Sequence, residues 1–175
     1  MTNQGLLKVL DRLDAQGRWA FTFEQLRLLF PAETLGSFRK SLCLRAKEDI
    51  VLRQVCRGLY VNRRARSMPA NTLVALVPYI RPWAMNYLSL ETVLGGTDDL
   101  SQLPGRLVVA SEGRSAVIET PYGTIEFVRT RLTGPKLMKG LSLDISTGVY
   151  VADRDRALAD YTRHRRARDL LQMAA

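Results

Sequence analysis

Residues 34–61 have the sequence TLGSFRKSLCLRAKEDIVLRQVCRGLYV, a basic amphipathic segment followed by two short apolar ones. The apolar residues at helical spacing are Leu35, Phe38, Leu42 and Ala46. They predict a helix over residues 35–47, with Thr34 as its N-cap. The other faces of this helix present the polar and basic residues Ser37, Arg39, Lys40, Ser41, Arg45 and Lys47.

The segment after this helix predicts a β-hairpin. Residues 50–55 and 59–61 are the two strands, and Cys56-Arg57-Gly58 supplies a turn with glycine. The basic residues of the region are Arg53, Arg57, Arg63, Arg64 and Arg66. The first two are expected on or near the tip, and the other three follow the second strand at once. A basic hairpin directly after such a helix is typical of the wing of a winged helix-turn-helix domain.

Two further helices are predicted before residue 34. Leucines at helical spacing predict a helix over residues 4–15, and Gly17 ends it. Residues 19–21 are apolar and could pair as a short strand. Thr22 and Gln25 match a capping box at the start of a second helix, which Pro31 stops. The order of three helices and a hairpin predicts a winged helix-turn-helix domain over residues 1–67.

The charge is concentrated in this first part of the chain. The whole sequence has a net charge of +9 and a pI of about 10.1. Residues 1–67 contain 13 Lys and Arg against 6 Asp and Glu, a net charge of +7, whereas residues 68–175 contain 13 against 11, a net charge of +2. A basic protein of this kind usually meets a polyanion, most often nucleic acid. The N-terminal part is therefore the candidate DNA-binding module.

The chemistry of each side chain predicts its role on DNA. Ser37, Arg39, Lys40 and Ser41 stand early in the third helix, where base edges are contacted. The arginines of the hairpin and of residues 63–66 are expected on phosphates, which position the protein without specifying sequence. Arg45 and Lys47 could do either. The alternatives are a solvated surface helix and a linker charged for solubility.

Residues 68–175 predict a small α+β domain with an antiparallel sheet and a C-terminal helix. The segments 73–77 and 89–96 are predicted helices. The predicted strands are 106–111, 115–120, 124–129 and 147–151. A last helix is predicted to begin at Asp153 and run towards Met173. Its basic stretch, Arg163 to Arg168, is interpreted either as a solvated helix end or as a contact for DNA or an acidic partner.

The sequence contains no recognisable motif of an enzyme or a metal site. The sequence has no phosphate-binding loop, no nucleophile elbow and no His/Cys catalytic pair, so we expect no enzyme. Cys43, Cys56 and His164 cannot supply a zinc site, and no cofactor or catalytic residue is predicted. With no signal peptide and no membrane-spanning apolar run visible, the protein is expected in the cytoplasm, associated with the nucleoid.

Five stretches, in this order, resemble the AbiEi family, the antitoxins of type IV toxin–antitoxin systems. The first two lie in the predicted DNA-binding part: residues 21–26 together with 37–42, and Arg57-Gly58-Leu59-Tyr60-Val61. The other three are Asn86 to Leu94, Tyr122 to Phe127, and Asp155 to Asp160. The stretches Tyr87-Leu88-Ser89-Leu90-Glu91 and Tyr122-Gly123-Thr124-Ile125-Glu126-Phe127 together are the most specific.

The resemblance implies a repressor that binds double-stranded DNA in its own promoter and counters a nucleotidyltransferase-like toxin without a stable complex. The family's DNA contacts match Arg39, Lys40, Arg53, Arg57, Arg63 and Arg64. Inverted repeats and a dimer on DNA are expected, as in many winged-helix repressors. The chain ends soon after Asp155-Arg156-Ala157-Leu158, where longer members continue, so a shortened antitoxin half is expected.

Three other functions remain open. The first is a stand-alone winged-helix regulator of mobile-element genes with no toxin to neutralise. The second is a nucleic-acid enzyme targeted by the wing, which the missing catalytic motifs disfavour. The third is a protein adaptor, which the charge of +7 on the first module disfavours.

Overall fold

The structure is a computed structural model that describes residues 2–95 and 106–164. The chain divides into two compact units, here called the N-terminal unit (residues 1–70) and the C-terminal unit (residues 71–175). The boundary lies a few residues after the one predicted at residue 67. Both units contain helices and a sheet, in agreement with the α+β class.

The N-terminal unit has three helices and three strands. The helices are α1 (Asn3–Asp14), α2 (Phe23–Leu28) and α3 (Leu35–Glu48). The strands are β1 (Ala20–Thr22), β2 (Leu52–Cys56) and β3 (Leu59–Asn62). Each helix is capped by a threonine, Thr2, Thr22 or Thr34, whose side chain accepts a hydrogen bond from a backbone N–H of the first turn. The capping box predicted from Thr22 and Gln25 is present, with both reciprocal hydrogen bonds formed.

The three strands form an antiparallel sheet in the order β1-β3-β2. Strands β2 and β3 are joined by the predicted turn at Arg57 and Gly58, and Gly58 has a φ of +80°, which favours glycine. The helices cover one hydrophobic core. Its fully buried members include Leu6 and Leu10 of α1, Leu26 of α2, and Phe38 and Leu42 of α3.

One predicted core residue of α3 is exposed. Leu35 was expected on the buried face, but 52% of its surface is accessible. It is the first residue of the helix, and side chains on a helix tilt towards the N-terminus. Leu35 therefore points past the end of the core, and Phe38 and Leu42 make the contacts instead.

The C-terminal unit is built on a six-stranded sheet. Its strands are β4 (Asn86–Leu88), β5 (Arg106–Ser111), β6 (Ala116–Thr120), β7 (Gly123–Arg129), β8 (Leu141–Asp144) and β9 (Val149–Ala152). Its helices are α4 (Thr72–Ala75), α5 (Val77–Ile80), α6 (Glu91–Leu94), α7 (Gly134–Met138) and α8 (Arg154–Arg163). The strand order is β6-β7-β5-β4-β9-β8.

The predicted antiparallel sheet is wrong for this unit, because the sheet is mixed. Strand β5 pairs parallel with β7, and β4 pairs parallel with β9, while the other three pairings are antiparallel. The chain leaves β5, forms β6 at the sheet edge, and returns as β7 between the two. Side-chain alternation predicts the strands and their faces but not the neighbours of each strand.

Other differences are local. The segment at 89–96 forms a helix only over Glu91–Leu94, because strand β4 runs up to Leu88 and Leu90 adopts a positive φ. The apolar segment at 73–77 contributes to two short helices, with Pro78 in the first turn of α5, where its missing N–H has no cost. Asp153 caps helix α8 as predicted; residues 165–175, with most of the basic stretch, lie outside the described residues. Among the described helices, none is long and apolar enough to cross a membrane.

Candidate nucleic-acid interface

The outward face of α3 is basic and largely unpaired. Phe38 and Leu42 anchor the helix to the core, which leaves Arg39, Lys40 and Lys47 exposed. Within the described residues, the side chains of Lys40 and Lys47 form no hydrogen bond or ion pair. The guanidinium of Arg39 lies 5.7 Å from the ring centroid of Phe23 and has no carboxylate partner there. This face therefore presents cations that are available to an anionic ligand.

The serines of α3 differ in their availability. The Ser37 hydroxyl donates to Glu33 Oε2 over 2.9 Å, while its backbone N–H donates to the Thr34 hydroxyl. Ser41 is half-buried. Both lie on α3 with Arg39 and Lys40, as predicted from helical spacing, but Ser37 already takes part in the turn that leads into the helix.

Of the two cations in the last turn of α3, one forms an ion pair within the helix. Arg45 pairs with Glu48, with 3.0 Å between Nη1 and Oε2. Arg45 and Lys47 also stand near the helix C-terminus, where cations are stabilised by the helix dipole. Arg45 is thus partly occupied by the helix itself, whereas Lys47 is exposed.

Asp49 joins α3 to the hairpin. It ends the helix in the left-handed conformation, with a φ of 52°. Arg53 of β2 forms a bidentate pair with its carboxylate, in which Nε lies 2.7 Å from Oδ1. Arg63, which follows β3, donates to both the carboxylate and the backbone carbonyl of Asp49. The hydrogen bond from Arg53 is the main cause that holds the pKa of the Asp49 carboxyl below its usual value.

Two of the arginines predicted to contact phosphates, Arg53 and Arg63, therefore both bind Asp49. Arg53 and Arg63 tie the two strands of the hairpin to the end of α3, a role that sequence reasoning missed. The signal in the sequence was an acidic residue directly after a basic helix and four positions before Arg53. A bidentate Arg–carboxylate pair fixes geometry as well as charge, so it orients the hairpin against the helix.

The remaining predicted cations lie on the turn and after β3. Arg57 is exposed at the β2–β3 turn and forms no hydrogen bond or ion pair in the described part of the chain. Arg64 and Arg66 are exposed too. Their backbone is fixed: the Arg64 N–H donates to Asn62, and the N–H groups of Arg66 and Ser67 donate to the Asp14 carboxylate over 2.9 Å. Residues 66 and 67 are thus attached to α1, and Arg64 to the end of β3.

Arg27 was not predicted, yet it orders the connection between α2 and α3. Its guanidinium donates to the carbonyl oxygens of Phe30 and Glu33, and lies 5.7 Å from the ring centroid of Phe38. It thus bonds the turn between the helices and covers a core residue of α3. Nothing in the spacing of the sequence distinguished Arg27 from an ordinary surface arginine.

In the C-terminal unit, two stretches of the family resemblance meet in the core. Asp160 of α8 is 1% exposed and accepts hydrogen bonds from Tyr87 (2.9 Å), Ser89 (3.0 Å) and Arg156 (3.0 Å). Arg156 also donates to Tyr87 Oη and to three carbonyl oxygens of residues 136–139. Burial raises the pKa of the Tyr87 hydroxyl. This cluster joins β4 to α8, which is a structural use of those motifs.

Comparison with protein-family models and with curated proteins gives no match to this chain. The functional interpretation therefore depends on the geometry of α3 and the hairpin. Among the described residues, no group of three or more His, Cys, Asp or Glu side chains is arranged to hold a metal ion.

Proposed function

We propose that the N-terminal unit is a winged helix-turn-helix domain that binds double-stranded DNA sequence-specifically, and that the protein represses transcription of its own operon. The order α1-β1-α2-α3-β2-β3 supports this, with α3 as the recognition helix and the β2–β3 hairpin as the wing. The excess of positive charge on this unit has the sign that binding to phosphates requires.

The observation that supports the proposal most is the set of unpaired cations on α3, at the β2–β3 turn and directly after β3. Five exposed basic side chains there form no ion pair among the described residues: Arg39, Lys40, Lys47, Arg57 and Arg64. The same region pairs Arg45, Arg53 and Arg63 within the fold, and it leaves these five cations open to an anion. If all five contacted phosphates, log K against log salt concentration would have a slope of about −4 to −5 for each bound chain.

The division of work on DNA follows from these contacts. We infer that Lys40 and Arg39, with Ser41, contact base edges in the major groove, while Arg57 and Arg64 contact phosphates. Arg53 and Arg63 position the hairpin through Asp49, so their main contribution is the orientation of Arg57 relative to α3. Arg66 and Lys47 add charge at the edges of this surface.

The family resemblance also suggests what the protein does in the cell. On that basis the protein is a non-enzymatic repressor that also counters a nucleotidyltransferase-like toxin encoded beside it. A co-transcribed gene of that type, and rescue of cells that express it, would support the antitoxin role. Repression without such a neighbour would identify a stand-alone regulator.

Titration of the purified chain against the DNA upstream of its own gene tests the DNA-binding proposal. A scrambled duplex of equal length is the control, and both are measured at two salt concentrations. We expect clear preference for the upstream duplex and binding that weakens as salt rises. Equal affinity for both duplexes would contradict sequence-specific recognition. Binding to neither would contradict the proposal as a whole.

A further inference from the structure

A second cationic surface lies in the C-terminal unit, at the loop between α5 and β4. A cleft of about 530 Å³ is lined by Arg81, Trp83, Glu112, Gly113, Arg114 and Arg129. Three of the six residues are arginines, and Trp83 is 72% exposed. An exposed tryptophan among arginines is the combination of side chains with which proteins bind nucleotides, because the ring stacks on bases and the guanidinium groups bind phosphates.

Arg81 is buried and has no counter-charge among the described residues. It is 7% exposed, yet within residues 2–95 and 106–164 its guanidinium makes a single hydrogen bond, from Nη1 to the Ser111 hydroxyl over 3.2 Å. In the part of the chain that the structure describes it has no carboxylate partner, and it lies 3.9 Å from the ring centroid of Phe127. Burial lowers its pKa. An unpaired buried charge is costly, so a guanidinium kept in this state at a cleft is well placed to bind an anion.

Hydrogen bonds stabilise the conformation of the loop that carries Trp83. The Asn86 amide donates to the carbonyl oxygens of Arg81 (2.9 Å) and Ala84 (2.7 Å), and its own oxygen accepts from Ser111 (2.8 Å). Gly113 packs so closely that a Cβ there would lie 2.8 Å from Arg81 Nη1 and 3.0 Å from the Trp83 ring. The backbone that carries Trp83 is therefore held in place, and Gly113 packs against the ring, which reduces the entropy lost on binding.

The rim of the cleft is positive. Arg114 and Arg129 are exposed, and their side chains form no hydrogen bond or ion pair among the described residues. Glu112 is the single acid of the lining, and its carboxylate accepts from the Met85 N–H over 3.2 Å. The lining thus has a net charge of +2, from three arginines and one glutamate.

We propose that this cleft binds a nucleotide unit, with the base stacked on Trp83 and the phosphate bound by Arg114 and Arg129 beside Arg81. The unit could be a free nucleotide or one nucleotide of a single strand, since both offer a base and a phosphate. This site is separate from the duplex-binding surface proposed for the N-terminal unit and does not depend on it. An acidic peptide would use the arginines but would leave the ring without a stacking partner.

The two tryptophans provide a local measurement on the full chain. Trp19 is 4% exposed and Trp83 is 72% exposed, so acrylamide quenches the fluorescence of Trp83 selectively. We expect ATP or a single-stranded oligonucleotide to protect Trp83 from acrylamide. Protection by ATP identifies a free nucleotide as the ligand, and protection by the oligonucleotide alone identifies a single strand. No protection by either overturns the proposal, as does equal protection by tripolyphosphate or polyglutamate.

Substitutions locate the binding. By equilibrium dialysis, Trp83→Ala is expected to weaken binding of the protecting ligand at least about fivefold, with Trp83→Phe recovering part of the loss. Arg129→Ala is expected to weaken it severalfold. Arg154→Ala removes the same charge from an exposed position of α8 outside the cleft and is expected to have no effect. Equal losses for Arg129→Ala and Arg154→Ala, or none for Trp83→Ala, would overturn the proposal.

Discussion

In the N-terminal unit the cations of α3 and the hairpin lie at the surface. In the C-terminal unit, by contrast, Arg81 and Arg156 are buried, with less than a tenth of the surface of each exposed. The two buried arginines also differ from each other. Arg156 has Asp160, Tyr87 and three carbonyl oxygens as partners, and Arg81 has one serine hydroxyl. Equal burial therefore does not mean equal function. A buried arginine in which all three guanidinium nitrogens donate to partners belongs to the fold. One with no counter-charge among the described residues, like the unpaired cations of α3, indicates a ligand.

The strongest test of this contrast is Asp160→Asn. The substitution removes the carboxylate from three donors that converge on one oxygen and leaves the buried charge of Arg156 without its main partner. We expect the free energy of unfolding to fall by about 3–5 kcal/mol, measured by urea denaturation. Asp155→Asn, an exposed carboxylate on the same helix, is the control and should cost about 1 kcal/mol or less. Similar losses for both variants would mean that the buried cluster is not the main link between β4 and α8.

The next test concerns the free cations of α3. Lys40→Ala is expected to reduce binding to the upstream duplex by about 1–3 kcal/mol if Lys40 contacts a base, with a smaller loss on scrambled DNA. Lys8→Ala removes the same charge from an exposed position of α1 and serves as the matched control. The measurement is a titration of both duplexes with both variants. A loss of equal size on the two duplexes would place Lys40 on a phosphate rather than a base.

The substitution Arg81→Met tests whether the second buried arginine contributes to stability. Methionine keeps an apolar contact with Phe127, loses one hydrogen bond to Ser111, and removes the cost of a buried unpaired charge. These effects oppose each other, so the free energy of unfolding should change by less than about 1 kcal/mol. Arg156→Met is the comparison and should be far more destabilising, since it leaves the buried Asp160 carboxylate without its buried counter-charge. A large loss for Arg81→Met would make Arg81 a structural residue.

Much of the N-terminal unit could be predicted because its signals are local. The threonine caps of α2 and α3, the glycine turn at Gly58 and the spacing of Phe38 and Leu42 depend on residues a few positions apart. The parallel pairings of β5 with β7 and of β4 with β9 depend on contacts distant in sequence, and alternation alone does not encode them. The predicted sheet of the C-terminal unit failed for that reason.

The candidate site shows the same limit. Composition and spacing predicted which cations lie on α3 and at the hairpin, but not which of them the fold already uses. Asp49 is close to Arg63 only because the hairpin returns to the end of α3. The pairing of Arg53 and Arg63, and the isolation of Arg81, are properties of side-chain contacts that the one-dimensional charge pattern does not contain.

The smallest expected effect is at the turn of the hairpin. Unlike Arg53 and Arg63, Arg57 has no partner in the described part of the chain, so Arg57→Ala should leave stability unchanged and weaken binding to every duplex alike. Loss of one phosphate contact makes the slope of log K against log salt concentration less negative by about one unit. The measurement is a titration of one duplex over a series of salt concentrations.

Arg12→Ala, an exposed position of α1, removes the same charge from the same unit and is the matched control for Arg57→Ala. A reduction of the slope for Arg57→Ala alone assigns a phosphate to the hairpin turn. Reductions of equal size in both variants would mean that binding depends on the total charge of the unit rather than on placed contacts. The distinction matters because a wing requires the hairpin to be oriented, which is the role we infer for Arg53 and Arg63 on Asp49. An unchanged slope for Arg57→Ala would place Arg57 off the phosphates and leave α3 and the residues after β3 as the contact surface of the unit.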